Sequence, residues 1–368
     1  MLQAAPHLIG FVLPLLVVAG ARLGGAWTFV PVAFIFGLMP LLDAVSGLNR
    51  ENAGDNAPTL ERNAWFRAVT WAWVPVQLAL IAWGLLFVVA EAPARGGAGL
   101  LDAAGVTLSI GLAGGAIGIT FAHELVHRSG RFERGLGEVL LASVSYPHFA
   151  IEHVHGHHRH VATPRDPATS RYGESFYAFY PRTVFGGLRS ALAIERDRLR
   201  RLGRSPWHVS NRFWRYGIEQ VAVYGLGAWV GGIAGVAYLG MQAIVAFSML
   251  EVINYVEHYG LVRRELSPGR YERVMPWHSW NSSHRVSNWL LINLARHSDH
   301  HYLASKRYQV LDHLDTAPQL PAGYGTMFVV ALVPPLWRRV MDPRVEAWRA
   351  RHSPGDAGKP GLTAAHPI

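Results

Sequence analysis

The chain has 368 residues and no cysteine. That absence removes disulfides, thiolate zinc sites and iron–sulfur centres from its chemistry. Electrons for any redox reaction must then come from another protein. Charge is scarce too: 16% of residues are charged against 50% hydrophobic, the balance of a membrane protein rather than a soluble one. The net charge of +9 comes almost wholly from arginine. In a chain this apolar, an arginine excess marks the cytoplasmic face, and nucleic acid is a poor explanation for it. No Lys or Arg precedes the first apolar run, so that run reads as a retained span rather than a cleaved signal.

Long apolar runs, by contrast, are plentiful. Residues from about 4 to 21 and 26 to 42 flank Arg22-Leu-Gly-Gly and read as a helical hairpin in the membrane. A polar loop, 43–67, leads to a third span over about 68–90. A fourth follows over about 101–122, where Gly111, Gly114, Gly115 and Gly118 point to close helix packing. As one helix, residues 218–255 would be roughly twice the ~30 Å hydrocarbon thickness. A hairpin turning between Gly231 and Gly240 is therefore expected. The expected fold is an all-α integral membrane protein with six transmembrane helices and a cytoplasmic, histidine-rich cap. Its expected parts are spans one to four in 1–127, a cytoplasmic region in 128–216, spans five and six in 217–257, a second cytoplasmic region in 258–352, and a disordered tail in 353–368. An even number of spans puts both polar regions on one face, and Arg196, Arg198, Arg200, Arg201 and Arg204 make that face cytoplasmic. The apolar pieces 139–144 and 289–295 are too short to span and should lie at the interface or cap the site.

Histidine is the residue that stands out. Four clusters occur: His123-Glu-Leu-Val-His127, His153-Val-His-Gly-His157-His158, His258 in Asn254-Tyr-Val-Glu-His-Tyr-Gly260, and His297-Ser-Asp-His300-His301. On a helix, the i, i+4 spacing puts both rings of the first box on one face. By the same reasoning, one turn should present His153, His157 and His158 to a single point. The four clusters supply nine imidazoles, more than one ion can coordinate, which implies a two-metal site. Adjacent pairs such as His300 and His301 suit two ions better than one. Imidazole binds iron, copper, zinc and nickel alike and does not name the metal. Glu124, Glu152, Glu257 and Asp299 lie in or beside the boxes, where carboxylates could hold the outer ring nitrogens. The other ten histidines, His155 and His160 among them, read as structural. Taken alone, the first box is also the HExxH of a zinc protease with Glu124 as base.

Three boxes of the form HxxxH, HxxxHH and HxxHH resemble the integral-membrane di-iron superfamily of desaturases, hydroxylases and monooxygenases. Within it, residues 152–168, 254–261 and 294–301 look like the membrane-bound alkane 1-monooxygenases, as do Arg307-Tyr-Gln-Val-Leu and Pro318-Gln-Leu-Pro-Ala-Gly-Tyr-Gly. The similarity runs from about Pro40 to Val345. Ala295 stands where the family commonly has glutamine, and His160 at a variable place; neither change removes a ligand position.

The resemblance implies a fatty-acid-desaturase-like membrane fold with two non-heme iron ions held by His123, His127, His153, His157, His158, His258, His297, His300 and His301. It also implies terminal hydroxylation of medium-chain n-alkanes with O2, using electrons from rubredoxin and, behind it, a nicotinamide-dependent rubredoxin reductase. The enzyme would sit in the inner membrane with its active site facing the cytoplasm. A saturated hydrocarbon has no polar handle, so an apolar channel must orient it by shape. Trp65, Trp71, Trp73, Phe87 and Phe121 are candidates for its walls. Desaturation, or hydroxylation of aryl-methyl, terpene or fatty acyl substrates, stays open beside the alkane reaction.

Overall fold

The computed structural model describes residues 2–351. The expected tail at 353–368 lies outside the described residues. Five helices are long and apolar enough to cross a membrane: α1 (Gln3–Leu23), α2 (Gly25–Ser46), α3 (Ala64–Glu91), α4 (Pro93–Val126) and, further along, Arg212–His258. Between the last two come α5 (Arg131–Ser143), α6 (149–160) and α7 (Phe176–Arg201), which makes Arg212–His258 α8. The remainder holds α9 (Arg285–Leu290), α10 (His297–Tyr302), α11 (Tyr324–Ala331) and α12 (Pro334–Arg351). Extended structure among the named elements is a small antiparallel hairpin, β1 (Glu265–Ser267) with β2 (Arg270–Tyr271). Side-chain caps fix three helix starts: Asn63, Ser175 and Asn211 each accept a backbone N–H from the first turn of α3, α7 and α8.

Leu15, Val45, Leu86, Leu100 and Ile233 are all more than half exposed, a costly arrangement in water and an ordinary one against lipid. Inside, small residues let the helices close on one another. A Cβ built on Gly115 would lie 2.7 Å from the Ala246 carbonyl oxygen, and one on Gly111 2.6 Å from Val245 Cβ. These glycines draw α4 against α8.

α8 is broken. Gly231 (φ −139°, ψ 15°) and Gly232 (φ 55°, ψ −137°) leave helical geometry, the second at a φ that side chains disfavour. The chain then folds back, because a Cβ on Gly235 would come within 2.2 Å of the Gly227 carbonyl oxygen. In a straight helix these residues would stand about 12 Å apart along the axis. The returning limb ends at His258. There Tyr255, Tyr259 and Trp337 are fully buried, with ring centroids 5.0 and 5.2 Å from Trp337, and they seat α12 on the end of α8. Truncating Trp337 to Ala would cost about 3–5 kcal/mol.

Four stretches widen into π-helix: Phe34–Leu38, Phe87–Glu91, Gly114–Ile119 and His153–His157. Such turns gather at functional sites. Three of these four border the centre described next.

Candidate metal centre and substrate cavity

The nine box histidines converge from five directions: the end of α4, α6, the end of α8, and both ends of α10. They form two groups, His123, His127, His153, His158 and His300 in one, His157, His258, His297 and His301 in the other. Within each group, one ring nitrogen per residue lies within 4.8 Å of all the others. Each adjacent pair divides, one ring to each group, because successive side chains on a helix point about 100° apart. The expectation that His153, His157 and His158 meet at one point needs correction. His157 turns to the four-ring group, while His158 Nε2 comes 3.0 Å from His153 Nε2. The cause is the π-helical turn over His153–His157: closing i to i+5 brings residue i+5 back over residue i.

Other facing Nε2 atoms are equally close: 3.1 Å for His300 and His158, 3.2 Å for His157 and His301, 3.3 Å for His297 and His258. Lone pairs aimed at one another at this range repel unless a cation lies between them. Metal–nitrogen bonds of about 2.1 Å put neighbouring ligands about 3.0 Å apart in octahedral and about 3.4 Å in tetrahedral geometry. The residues therefore fit a metal ion in each group. Burial, followed by the neighbouring rings, holds the pKa of His153, His158, His300 and His301 well below the ordinary histidine value. Neutral imidazole is the form that binds metal. His157 differs. Burial pulls it down, but the charge and hydrogen bond of Asp166 more than offset that and raise it.

His157 Nδ1 lies 2.9 Å from Asp166 Oδ2, both side chains buried. That bond points His157 Nε2 into its group. Asp166 is itself fixed by the Thr169 hydroxyl at 2.6 Å and the Ala168 N–H at 3.0 Å. Sequence reasoning did not pick Asp166 as a site residue. The available signal was an acid held between prolines in Pro164-Arg-Asp-Pro167, just after the box.

The four expected carboxylates behave unequally. Glu257 Oε2 sits 3.1 Å from His297 Nε2, the nitrogen that also faces His258, so it meets the inner edge of that ring and does not hold its outer nitrogen as expected; Oε1 accepts the Tyr324 O–H at 2.7 Å. Glu152 accepts from Ser190 at 3.3 Å and bonds no ring; burial, then the charge of Asp166, raises its pKa to about 8. Glu124 turns to Arg128 at 3.4 Å, whose guanidinium also takes the Ser305 and Lys306 carbonyls. Asp299 binds Lys306 Nζ and the Asp312 N–H, each at 2.8 Å. For Glu124 and Asp299 the expectation of ring-holding is corrected: they brace the loop after α10, because a basic partner lies nearer than any imidazole nitrogen.

An apolar cavity opens beside the centre. His123, His153 and His297 border it, and its walls come from α2 (Ile35, Phe36, Met39), α4 (Ala116, Ile119), α8 (Met249, Leu250, Ile253), 290–295 and α11 (Phe328). The short apolar run 289–295 thus helps close the site, and Ala295 is part of the wall. None of the five expected aromatics lines it. Trp65 is half exposed, Trp71 packs edge-on against Phe132 at 5.2 Å, and buried Trp73 donates to Gln77 at 2.7 Å with Phe121 against its ring. Phe87 lies under the Arg95 guanidinium. The face that these residues turn to neighbouring helices is as apolar as the cavity face, so composition could not separate the two.

The chain matches the fatty acid desaturase family over residues 98–331. It is 44% identical to alkane 1-monooxygenase 2 of Pseudomonas aeruginosa over 90% of this chain and 87% of that protein. It is 43% identical to alkane 1-monooxygenase 2 of Alcanivorax borkumensis over 88% and 84%. With the xylene/toluene monooxygenase hydroxylase component of Pseudomonas putida it shares 32% identity over 70% and 68%. A histidine-rich centre at the end of apolar helices, beside an apolar cavity, together with these relatives across most of its length, places this chain in the alkane 1-monooxygenase family, within the wider fatty acid desaturase family.

Proposed function

We propose that this monooxygenase hydroxylates the terminal carbon of medium-chain n-alkanes: RH, O2, two electrons and two protons give ROH and water. The observation that carries the reading is the cavity's lack of a free polar handle. Thr120 donates back to the Ala116 carbonyl at 2.7 Å, Ser287 to Asp43, Asn254 to Glu251 at 3.2 Å, and Glu257 is engaged by Tyr324. A polar substrate would find these groups already paired. An alkane needs only shape.

Two iron ions are the proposed cofactors, one for each ring group; when bound they supply the one-electron redox chemistry that activates O2. The protein's part is to fix the rings, through Asp166 in the four-ring group, and to hold the substrate in a dry chamber beside them. We read α8 as two crossings joined at Gly231–Gly232, giving six in all, with the histidines at the cytoplasmic face of the inner membrane. The exposed Arg196, Arg200, Arg201 and Arg204 support that orientation and suit docking of an acidic carrier such as rubredoxin, fed by a nicotinamide-dependent reductase. A zinc protease is disfavoured, since Glu124 is tied to Arg128 and five rings surround the position where three ligands would serve.

Hydroxylation of an aryl methyl group is the second reading, favoured by the xylene/toluene relative. Competition decides between them. With reduced rubredoxin, O2 and equal octane and xylene, 1-octanol should dominate. A predominance of methylbenzyl alcohol would reverse the order.

A further inference from the structure

A second, much smaller pocket adjoins the first and carries a larger share of polar groups in its wall. Glu152, Glu251, Tyr146, Thr183 and His148 line it, and His153 and His157 of the ring groups border it. Glu251 is 2% exposed. Its Oε1 accepts the Tyr146 O–H at 2.7 Å, and its Oε2 accepts the Thr183 O–H at 2.8 Å and an Asn254 N–H at 3.2 Å. These bonds reach none of the nine imidazoles, and the metal centre makes no evident use of the carboxyl. Asn254 borders both chambers. At the other side of Tyr146, 4.4 Å between ring centroids, stands His148; its Nε2 is buried with no hydrogen-bond partner among the described residues, and the residue is 9% exposed.

The reaction proposed above needs protons, and the substrate cavity cannot bring them. Its walls are apolar and its few polar groups point elsewhere. The pocket has room for about one water, and a single water can relay a proton between a fixed donor and a fixed acceptor.

We propose that Glu251 is the proton relay of this enzyme, a reading that rests on the proposed monooxygenase function. In each turnover two electrons enter from a reduced one-electron carrier protein. One oxygen atom of O2 goes into the C–H bond and the other leaves as water with two protons. Glu251 passes each proton from its carboxyl O–H, through water oriented by Asn254, to the departing oxygen. It is then reprotonated from solvent by way of His148 and Tyr146.

The test uses the full-length enzyme in a bilayer, loaded with iron, with reduced rubredoxin, O2 and octane. Glu251→Gln keeps the shape and removes the acid. Its kcat should fall about 100-fold, with KM for octane and iron content unchanged and the solvent deuterium isotope effect on kcat increased. Glu251→Asp should restore part of the rate. Tyr146→Phe, which breaks one bond to the carboxyl, should give a smaller loss with the same isotope signature. Without turnover, infrared spectra of the resting protein in H2O and D2O should show a carboxyl band that shifts and is missing in Glu251→Gln. A kcat within about twofold of wild type, an unchanged isotope effect, a loss of rate that tracks loss of iron, or identical infrared spectra would overturn the relay. Wild-type protein that makes no 1-octanol would overturn the functional reading, and the relay with it. Active wild type with an indifferent Glu251→Gln would sink the relay alone.

Discussion

The two ring groups solve the same problem differently. In the four-ring group one carboxylate backs a ring, Asp166 on His157 Nδ1, itself anchored by Thr169, while His258 Nδ1 and His301 Nδ1 have no hydrogen-bond partner among the described residues. In the five-ring group the rings lean on one another and on Phe149, which stacks on His153 at 4.6 Å, while His123 Nδ1 and His300 Nδ1 have no hydrogen-bond partner among the described residues. A ring backed by a carboxylate has a fixed tautomer and gives more electron density to its ion. The five-ring group makes up in number what it lacks in such backing. Two ions held this way would be inequivalent, in affinity and in electronic environment.

The contrast can be broken at several depths. The largest effect should follow removal of one ring from either group: His157→Ala and His300→Ala should each abolish terminal hydroxylation while the protein still inserts, measured as 1-octanol formed per membrane-embedded chain. Next, Asp166→Asn should weaken metal binding about 10–100-fold in the four-ring group only, read by chelator competition. An equal loss from both groups would erase the distinction.

Acid should act on both groups. The pKa of His153, His158, His297, His300 and His301 is held far down by burial and then by neighbouring rings. The unfolded chain binds more protons than the folded one, so the stability these residues contribute is full above about pH 6.5 and is lost as pH falls below it. His157, raised by Asp166 against its burial, works in the opposite direction but is one ring against five. The melting temperature of metal-free protein in detergent should drop between about pH 7 and pH 5.5. A rise over that interval would contradict the sign.

Smaller effects separate the cavity from the packing around it. Phe328 lines the cavity and meets Phe36 at 4.8 Å, so Phe328→Ala should shift relative kcat/KM toward longer alkanes by about tenfold. Trp73→Phe, remote from the cavity, should leave the chain-length profile alone and cost about 1 kcal/mol of stability through its bond to Gln77.

Much of this was legible in the sequence, for identifiable reasons. Apolar runs and the excess length of 218–255 are one-dimensional properties, and the reversal at Gly231–Gly232 follows from them. The histidine clusters are local in sequence and stand out by type. Their division into groups does not, because the α-helical i, i+4 template cannot foresee the π turn over His153–His157 that carries His158 round to His153. Asp166 was hidden because its role depends on a tertiary fold of the loop. Trp73 and Phe121 were misplaced because one helix presents apolar residues to both cavity and neighbour, and hydropathy has no word for which.

The most direct test is metal content per chain in His127→Ala and His258→Ala, one from each group, beside wild type. The account predicts two irons in wild type and about one in each variant, with different spectra for the iron that remains, because each group keeps its own ion. One iron in wild type, or the loss of both ions from either single substitution, would contradict it.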